Sequence, residues 1–147
     1  MIPVFQPLLT KKDKLSVLRS LNRGEISGNF GKSINLFEKN FSKYIGSKYA
    51  VGVANATDGI ELIMNAHNIK RNDEVITVSH TATGTISAIL SSGAKPVLND
   101  INENYLFDCS NFMKLVTKKT KAVIIVHIYG QACDFRSIIN YCKKKKY

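Results

Sequence analysis

The chain has 147 residues, of which 44% are hydrophobic and 22% are charged. This length and composition are typical of one soluble globular domain with a sizeable core. No apolar run approaches the ~18 residues that a membrane-spanning helix needs, so we expect no membrane partner. The N-terminus has no basic stretch followed by a long apolar run, so no secretory signal is predicted and we expect a cytoplasmic protein.

The charge is strongly positive, with 21 Lys and Arg against 11 Asp and Glu, for a formal net charge of +10. Four of the positive charges are the lysines at positions 143–146. A basic chain attracts anions, including nucleic acid and small anionic substrates. The other lysines are scattered rather than clustered on one segment, which does not favour a nucleic-acid interface.

Three cysteines are present, at positions 109, 133 and 142. The number is odd, and no two of them form a Cys-x-x-Cys pair. A disulfide framework or a zinc site would need more cysteines at tighter spacing. We therefore expect reduced thiols and no metal site.

The first third of the chain predicts two helices. Thr10 and Asp13 have the spacing of a capping box, which indicates a helix running on through Leu21. A glycine-containing loop follows, and Ser33 is the predicted N-cap of a second helix that ends at Gly46. That helix carries one apolar stripe at helical spacing, made of Ile34, Phe37, Phe41, Tyr44 and Ile45.

From residue 49 onward, the pattern predicts alternating strands and helices. The predicted strands are residues 49–53, 74–78, 96–101 and 121–128. The predicted helices are residues 57–67, residues 81–91, one capped by Asp108 and one following Asp134. The unbroken apolar run at 123–126 is typical of a strand buried on both faces. This alternation predicts an α/β fold with a mostly parallel sheet.

Ligands in such sheets bind beyond the carboxyl ends of the strands, so the residues that follow each strand are candidates for a ligand site. After the first strand, small residues lead into a helix at Thr57. Free N–H groups and the helix dipole at such a point favour a phosphate, and the Thr57 hydroxyl adds a donor. The alternative is an ordinary N-cap made by Asn55 or Thr57.

Two further strand ends carry polar side chains. His80 follows the second strand, where it either meets a ligand or caps the next helix. His127, Tyr129 and Gln131 follow the fourth strand, and polar groups that converge in this way suit a ligand site. The alternative is that His127 and Gln131 only satisfy backbone groups of the loop.

Taken in order, several segments resemble the N-terminal part of the DegT/DnrJ/EryC/StrS-type sugar aminotransferases. They are GEISG at 24–28, YAVGVANATDGI at 49–60, NDEVI at 72–76, GAKPV at 93–97 and VHIYGQ at 126–131. The resemblance runs nearly end to end. It implies that residues 1–147 are the N-terminal part of the large domain of a pyridoxal-phosphate (PLP)-dependent transferase, with the aspartate aminotransferase-like fold of type I.

The resemblance also implies a cofactor site. Thr57, with the neighbouring backbone of Asp58, would hold the PLP phosphate. The family places an aromatic residue over the cofactor ring where this chain has Ala82, so His80 would supply that face. Ala56 replaces a glycine that is usual in the family. His127, Tyr129 and Gln131 would line the substrate side.

The implied activity is amino transfer from glutamate to a nucleotide-linked keto sugar, for amino-sugar and surface-polysaccharide (lipopolysaccharide, O-antigen) synthesis by a cytoplasmic homodimer. The chain stops before the segments that would carry the pyridine-nitrogen aspartate and the Schiff-base lysine. We therefore expect a truncated chain without catalytic residues of its own and inactive alone. The alternatives are a PLP-dependent sugar dehydratase of the same family and a stand-alone nucleotide- or nucleic-acid-binding α/β module.

Overall fold

The computed structural model describes residue 3, residues 6–28 and residues 31–145. The chain forms two compact units, the first ending at Gly52 and the second beginning at Val53. The first unit contains helices and the second contains the sheet with its covering helices.

Helix α1 (Lys11–Asn22) begins at the predicted capping box. The Thr10 hydroxyl oxygen accepts a hydrogen bond from the Asp13 N–H at 3.3 Å, and the Asp13 carboxylate accepts one from the Thr10 N–H at 2.8 Å. These two bonds satisfy N–H groups that have no partner inside the helix. The capping-box prediction is confirmed.

Helix α2 (Ser33–Ile45) ends as predicted at Gly46, which takes the left-handed conformation with φ of 78°. The predicted N-cap is wrong by one residue, because Lys32 occupies the cap without a side-chain hydrogen bond. The Ser33 hydroxyl is used elsewhere and donates to the Glu25 carboxylate at 2.9 Å. The predicted apolar stripe is largely exposed, and the rings of Phe37 and Phe41 stack within it at 5.6 Å.

The Glu25 carboxylate holds together the loop between α1 and α2. It accepts hydrogen bonds from the Arg23 guanidinium at 2.9 Å, from the Ser33 hydroxyl at 2.9 Å and from the Ser20 hydroxyl at 3.2 Å. Hydrogen bonds from Arg23 and Ser33 lower the pKa of Glu25 from 4.5 to about 2. The ionised form is therefore the one that the folded loop favours.

This loop should make the first unit sensitive to acid. The pKa of Glu25 is lower in the folded chain than in the unfolded chain. The ionised carboxylate therefore contributes fully to the stability of the first unit above pH 4.5, and this contribution is lost as the pH falls towards about 2. We expect Glu25→Gln to lower helix stability at neutral pH and to flatten its dependence on pH in this window. Thermal melts followed by circular dichroism measure both effects. Glu103→Gln, in the second unit, is the matched control, and equal pH profiles for the two variants would contradict the prediction.

The second unit is built on a parallel three-stranded sheet of order β2-β1-β3. The strands and helices of this unit, as the structure has them, are α3 (Ala56–Ala66), β1 (Glu74–Val78), α4 (Thr83–Ser91), β2 (Lys95–Asn99), α5 (Phe112–Leu115), β3 (Thr120–Val123) and α6 (Arg136–Lys145). The prediction of β1 is confirmed to the residue, and the other elements shared with the prediction differ in their bounds. The α/β class and the parallel sheet are confirmed.

Side chains of β1 alternate between two cores, as the period of a strand requires. Val75 packs with residues of α3 and α4, among them Met64 and Ile89. Ile76 and Val78 lie in a second cluster, which includes Phe107 together with residues of α5 and α6. Apolar clusters on both faces of β1 make it the central buried strand of an α/β unit.

The predicted strand at 49–53 is wrong, because the structure assigns no strand there. A strand is defined by the hydrogen bonds it shares with a neighbour, and in the described part of the chain no ladder reaches this segment. The Gly52 N–H instead donates to the Glu38 carboxylate at 2.7 Å. The predicted alternation of strands and helices therefore contained one strand too many.

The predicted strand at 121–128 is shorter than expected, because β3 ends at Val123. The Ile124 N–H still donates to the Ile76 carbonyl at 2.8 Å, but residues 128–130 form a 3-10 turn. The apolar run at 123–126 is half-buried rather than buried on both faces. The reason is that β3 lies at the edge of the sheet, where a strand has only one neighbour.

The cap predicted at Asp108 is displaced. The Asp108 carboxylate accepts hydrogen bonds from the N–H groups of Ser110 at 2.9 Å and Asn111 at 3.4 Å. These bonds shape the turn that leads into the short helix α5, whose N-cap is Asn111. Asp108 therefore stabilises the turn that precedes α5 and is not the N-cap of this helix.

Candidate functional site

The start of α3 settles which residue is the N-cap. The Asn55 side-chain oxygen accepts a hydrogen bond from the Asp58 N–H at 3.0 Å, and the Asn55 amide donates to the Asp58 carboxylate at 3.1 Å. Asn55 is therefore the cap, which leaves the Thr57 hydroxyl free of that task. The Asp58 N–H is bonded to Asn55, and the predicted contact of the Asp58 backbone with a phosphate stays a prediction.

Unused donors remain at this helix start. In the described part of the chain, the N–H groups of Ala56 and Thr57 and the Thr57 hydroxyl have no hydrogen-bond partner. They stand at the positive end of an eleven-residue helix. Free N–H groups at such an end, together with a hydroxyl, form an arrangement that binds phosphate.

A second helix start meets this one. A Cβ atom added to Gly84, in the first turn of α4, would clash with the Thr57 hydroxyl oxygen. Glycine at position 84 therefore makes room for that hydroxyl. Ala82, at the N-cap of α4, is exposed and provides no side-chain cap for this helix.

Sequence reasoning missed Gly84. Its one signal was a glycine inside a predicted helix, where it costs up to ~1 kcal/mol relative to alanine and so calls for a packing or functional reason. The structure supplies that reason through the contact with Thr57.

His80, at the end of β1, does not cap α4, which begins at Thr83. Its Nδ1 atom lies 3.3 Å from the carbonyl oxygen of Tyr105. The ring meets Tyr105 and Tyr129 in edge-on contacts, with centroid distances of 6.0 Å and 5.8 Å. Two residues predicted independently for the site, His80 and Tyr129, are thus brought together.

Tyr105 and Tyr129 share an unusual backbone conformation. Their φ angles are 62° and 53°, in the left-handed region that bulky residues rarely adopt. Their side chains are 65% and 89% exposed, so burial of the rings does not explain the conformation. Strained residues of this kind gather at functional sites, which makes both tyrosines candidates for ligand contact. No sequence pattern indicated Tyr105, because nothing local links it to His80.

His127 satisfies a backbone group of its own loop. Its Nδ1 atom accepts a hydrogen bond from the Cys133 N–H at 3.0 Å, and its ring packs on Phe135 at 5.9 Å. The Gln131 side chain is exposed, and its N–H donates to the Ile128 carbonyl at 3.0 Å. Within the described residues, no hydrogen bond or ring contact joins His127 or Gln131 to His80.

The cysteines are free thiols in the structure, with the sulfur atoms of Cys109 and Cys133 3.9 Å apart. Burial and the neighbouring Cys133 raise the pKa of Cys109 to about 11, so this thiol is protonated at neutral pH. Among the described residues, no group of three or more His, Cys, Asp or Glu side chains is placed to hold a metal ion. In the same part of the chain, no helix is long and apolar enough to cross a membrane.

A parallel sheet with helices on it, together with unused hydrogen-bond donors at the start of α3, is typical of α/β proteins that bind phosphate groups. The particular family follows from comparison with known proteins. The chain belongs to the DegT/DnrJ/EryC1/StrS aminotransferase family, whose family model matches residues 7–147. The family resemblance is thereby confirmed.

Curated relatives cover most of this chain but are much longer. A dTDP-3-amino-3,6-dideoxy-alpha-D-galactopyranose transaminase of Aneurinibacillus thermoaerophilus is 42% identical over 87% of this chain and 36% of its own length. A GDP-perosamine synthase of Vibrio cholerae is 36% identical over 97% of this chain and 39% of its own length. The chain thus spans less than two fifths of either relative.

A solved structure likewise matches almost all of this chain with only part of its own length. A Streptococcus pneumoniae protein described as a sugar aminotransferase, in its PLP form, superposes with a TM-score of 0.87 at 30% identity. The match covers 99% of this chain and 37% of that one. The chain therefore has the fold of part of that solved structure, which confirms the predicted fold class.

Proposed function

We propose that this chain forms the phosphate-binding part of a PLP-dependent sugar aminotransferase. The observation that supports the proposal is the Thr57 hydroxyl at the start of α3, which faces Gly84. Among the described residues, neither this hydroxyl nor the N–H groups of Ala56 and Thr57 have a hydrogen-bond partner. PLP, when bound, supplies an electron sink for chemistry at the carbon that bears the amino group. The residues at this edge bind and orient the cofactor.

The residues present fit the cofactor in two respects. Thr57 and the N–H groups of Ala56 and Thr57 offer donors to a phosphate, and Gly84 leaves space for the hydroxyl among them. His80 stands between two exposed tyrosine rings at the end of β1, where it would cover one face of the cofactor ring. The small side chain of Ala82 is exposed at the start of α4. The proposal therefore assigns the contact with the face of the cofactor ring to His80.

The proposed reaction is amino transfer from glutamate to a keto sugar carried on a nucleotide. The names of both curated relatives contain a nucleotide-linked sugar, and one of the two is a transaminase. That name favours amino transfer over sugar dehydration and over a stand-alone binding module. A cytoplasmic homodimer acting in surface-polysaccharide synthesis is part of the same proposal, with His127, Tyr129 and Gln131 on the substrate side.

We further propose that residues 1–147 do not supply every group that the reaction needs. The relatives extend well beyond the part that this chain matches. The groups that bind the cofactor covalently and protonate its pyridine nitrogen are proposed to lie in that further part. Cofactor binding by this chain then depends on hydrogen bonds and ring contacts alone.

Titration of the purified chain with three ligands tests the proposal. We expect PLP to bind weakly and reversibly, pyridoxal without phosphate to bind at least tenfold more weakly, and inorganic phosphate to compete with PLP. Fluorescence and phosphorus NMR measure these affinities, and an assay with glutamate is expected to show no amino transfer. Equal affinity for PLP and pyridoxal would contradict the proposed phosphate site. A PLP adduct that survives borohydride treatment and dialysis would contradict reversible binding.

A further inference from the structure

We infer that His80 and His127 are held in opposite neutral tautomers, so that a bound ligand meets a hydrogen-bond acceptor on His80 and a donor on His127. A neutral imidazole has one nitrogen that donates and one that accepts. Which nitrogen carries the proton is decided by the partner of the other nitrogen. Each of these two rings has a backbone partner that can only accept, or can only donate, a hydrogen bond.

For His80 the partner is a carbonyl. The Nδ1 atom lies 3.3 Å from the Tyr105 oxygen, and a carbonyl oxygen only accepts, so the proton must be on Nδ1. The Tyr105 carbonyl is held in place by its turn. The Tyr105 N–H donates to the Asn102 carbonyl at 2.9 Å, and the Leu106 N–H donates to the Asn102 side-chain oxygen at 3.1 Å. The Nε2 atom of His80 is left with a lone pair.

For His127 the partner is an N–H group. The Cys133 N–H donates to Nδ1 at 3.0 Å, so this nitrogen must be unprotonated and Nε2 carries the proton. Cys133 is buried, with 5% of its surface exposed, which holds the donor in place. His127 therefore presents the reverse arrangement at its Nε2 atom.

Both Nε2 atoms are available to a ligand, since neither has a hydrogen-bond partner among the residues that the structure describes. His80 is suited to a ligand hydroxyl, which donates, and His127 to a carbonyl or anionic oxygen, which accepts. A keto sugar carries both groups. That one ligand meets both rings, and that it is a keto sugar, rest on the proposed function, whereas the tautomers follow from the backbone contacts alone.

Nitrogen NMR of the ¹⁵N-labelled chain, without cofactor, tests the inference directly. Spectra are recorded at a series of alkaline pH values, and the tautomers are assigned where the ring-nitrogen shifts no longer change with pH. The chain has three histidines, and single substitutions to Gln assign their signals. Solid-state spectra of sedimented protein report the same ring nitrogens, so self-association does not prevent the measurement.

We expect His80 to show a protonated Nδ1 and a bare Nε2, and His127 to show the reverse. His67 is the internal control, because it is exposed and its ring has no hydrogen bond among the described residues. Signals of His80 that match those of His127, or that average as those of His67 do, would overturn the inference.

Two variants separate the cause of the His80 tautomer from a general effect on the loop. Asn102→Ala removes the side-chain oxygen that holds the Leu106 N–H, so we expect the His80 signals to move towards those of His67. Tyr105→Phe keeps the carbonyl and should leave the tautomer unchanged. No shift in Asn102→Ala, or a full loss of the tautomer in Tyr105→Phe, would count against the Tyr105 carbonyl as its cause.

Discussion

Replacing Thr57 by valine is expected to lower the affinity of the chain for PLP by roughly 10- to 100-fold. A hydrogen bond to a charged group is worth about 1.5–3 kcal/mol, and each ~1.4 kcal/mol is tenfold in affinity. Valine keeps the branched shape and removes only the hydroxyl. The two free N–H groups at the start of α3 remain in the variant, so binding should weaken rather than vanish.

Thr57→Ser is the matched control, because serine keeps the hydroxyl and loses only the methyl group. We expect it to bind PLP nearly as well as the unsubstituted chain. Cofactor titrations of the three proteins, with thermal melts of each, measure the effect and check folding. If Thr57→Val binds PLP normally and melts normally, Thr57 does not contact the phosphate, and the proposed site loses the observation that carries it.

Replacing Phe107 by alanine is expected to destabilise the second unit by about 3–5 kcal/mol. Phe107 is 1% exposed and lies in the same buried cluster as Ile76 and Phe112, with ring centroids of the two phenylalanines 6.2 Å apart. Truncation removes this apolar contact and leaves a cavity that its neighbours only partly fill. Since native domains are stable by about 5–15 kcal/mol, the loss is a large share of the total.

Met113→Ala is the control for this variant, because Met113 is a large apolar residue on α5 that is 56% exposed. We expect it to change stability by less than about 0.5 kcal/mol, as exposed substitutions usually do. Urea unfolding followed by circular dichroism gives the two free energies. A similar loss in both variants would show that Phe107 is not part of a well-packed core.

Local hydrogen bonding explains why part of the molecule could be predicted from the sequence. The capping box at Thr10 and Asp13 and the left-handed stop at Gly46 each depend on residues within one turn of the helix. The span of β1 follows from an apolar run bounded by turn residues, since β1 is the central strand of its sheet. Thr57 could be proposed for phosphate because the start of a helix creates its own donors.

Tertiary structure decided the features that join residues far apart in the chain. Residues 49–53 have the composition of a strand but lack a neighbour in the described part of the chain, and only a neighbour makes a strand. Tyr105 reaches His80 across 25 residues, and Gly84 meets Thr57 from another helix. Sequence periodicity reports which way a residue faces along its own element, whereas these contacts depend on how separate elements pack, so only the folded chain reveals them.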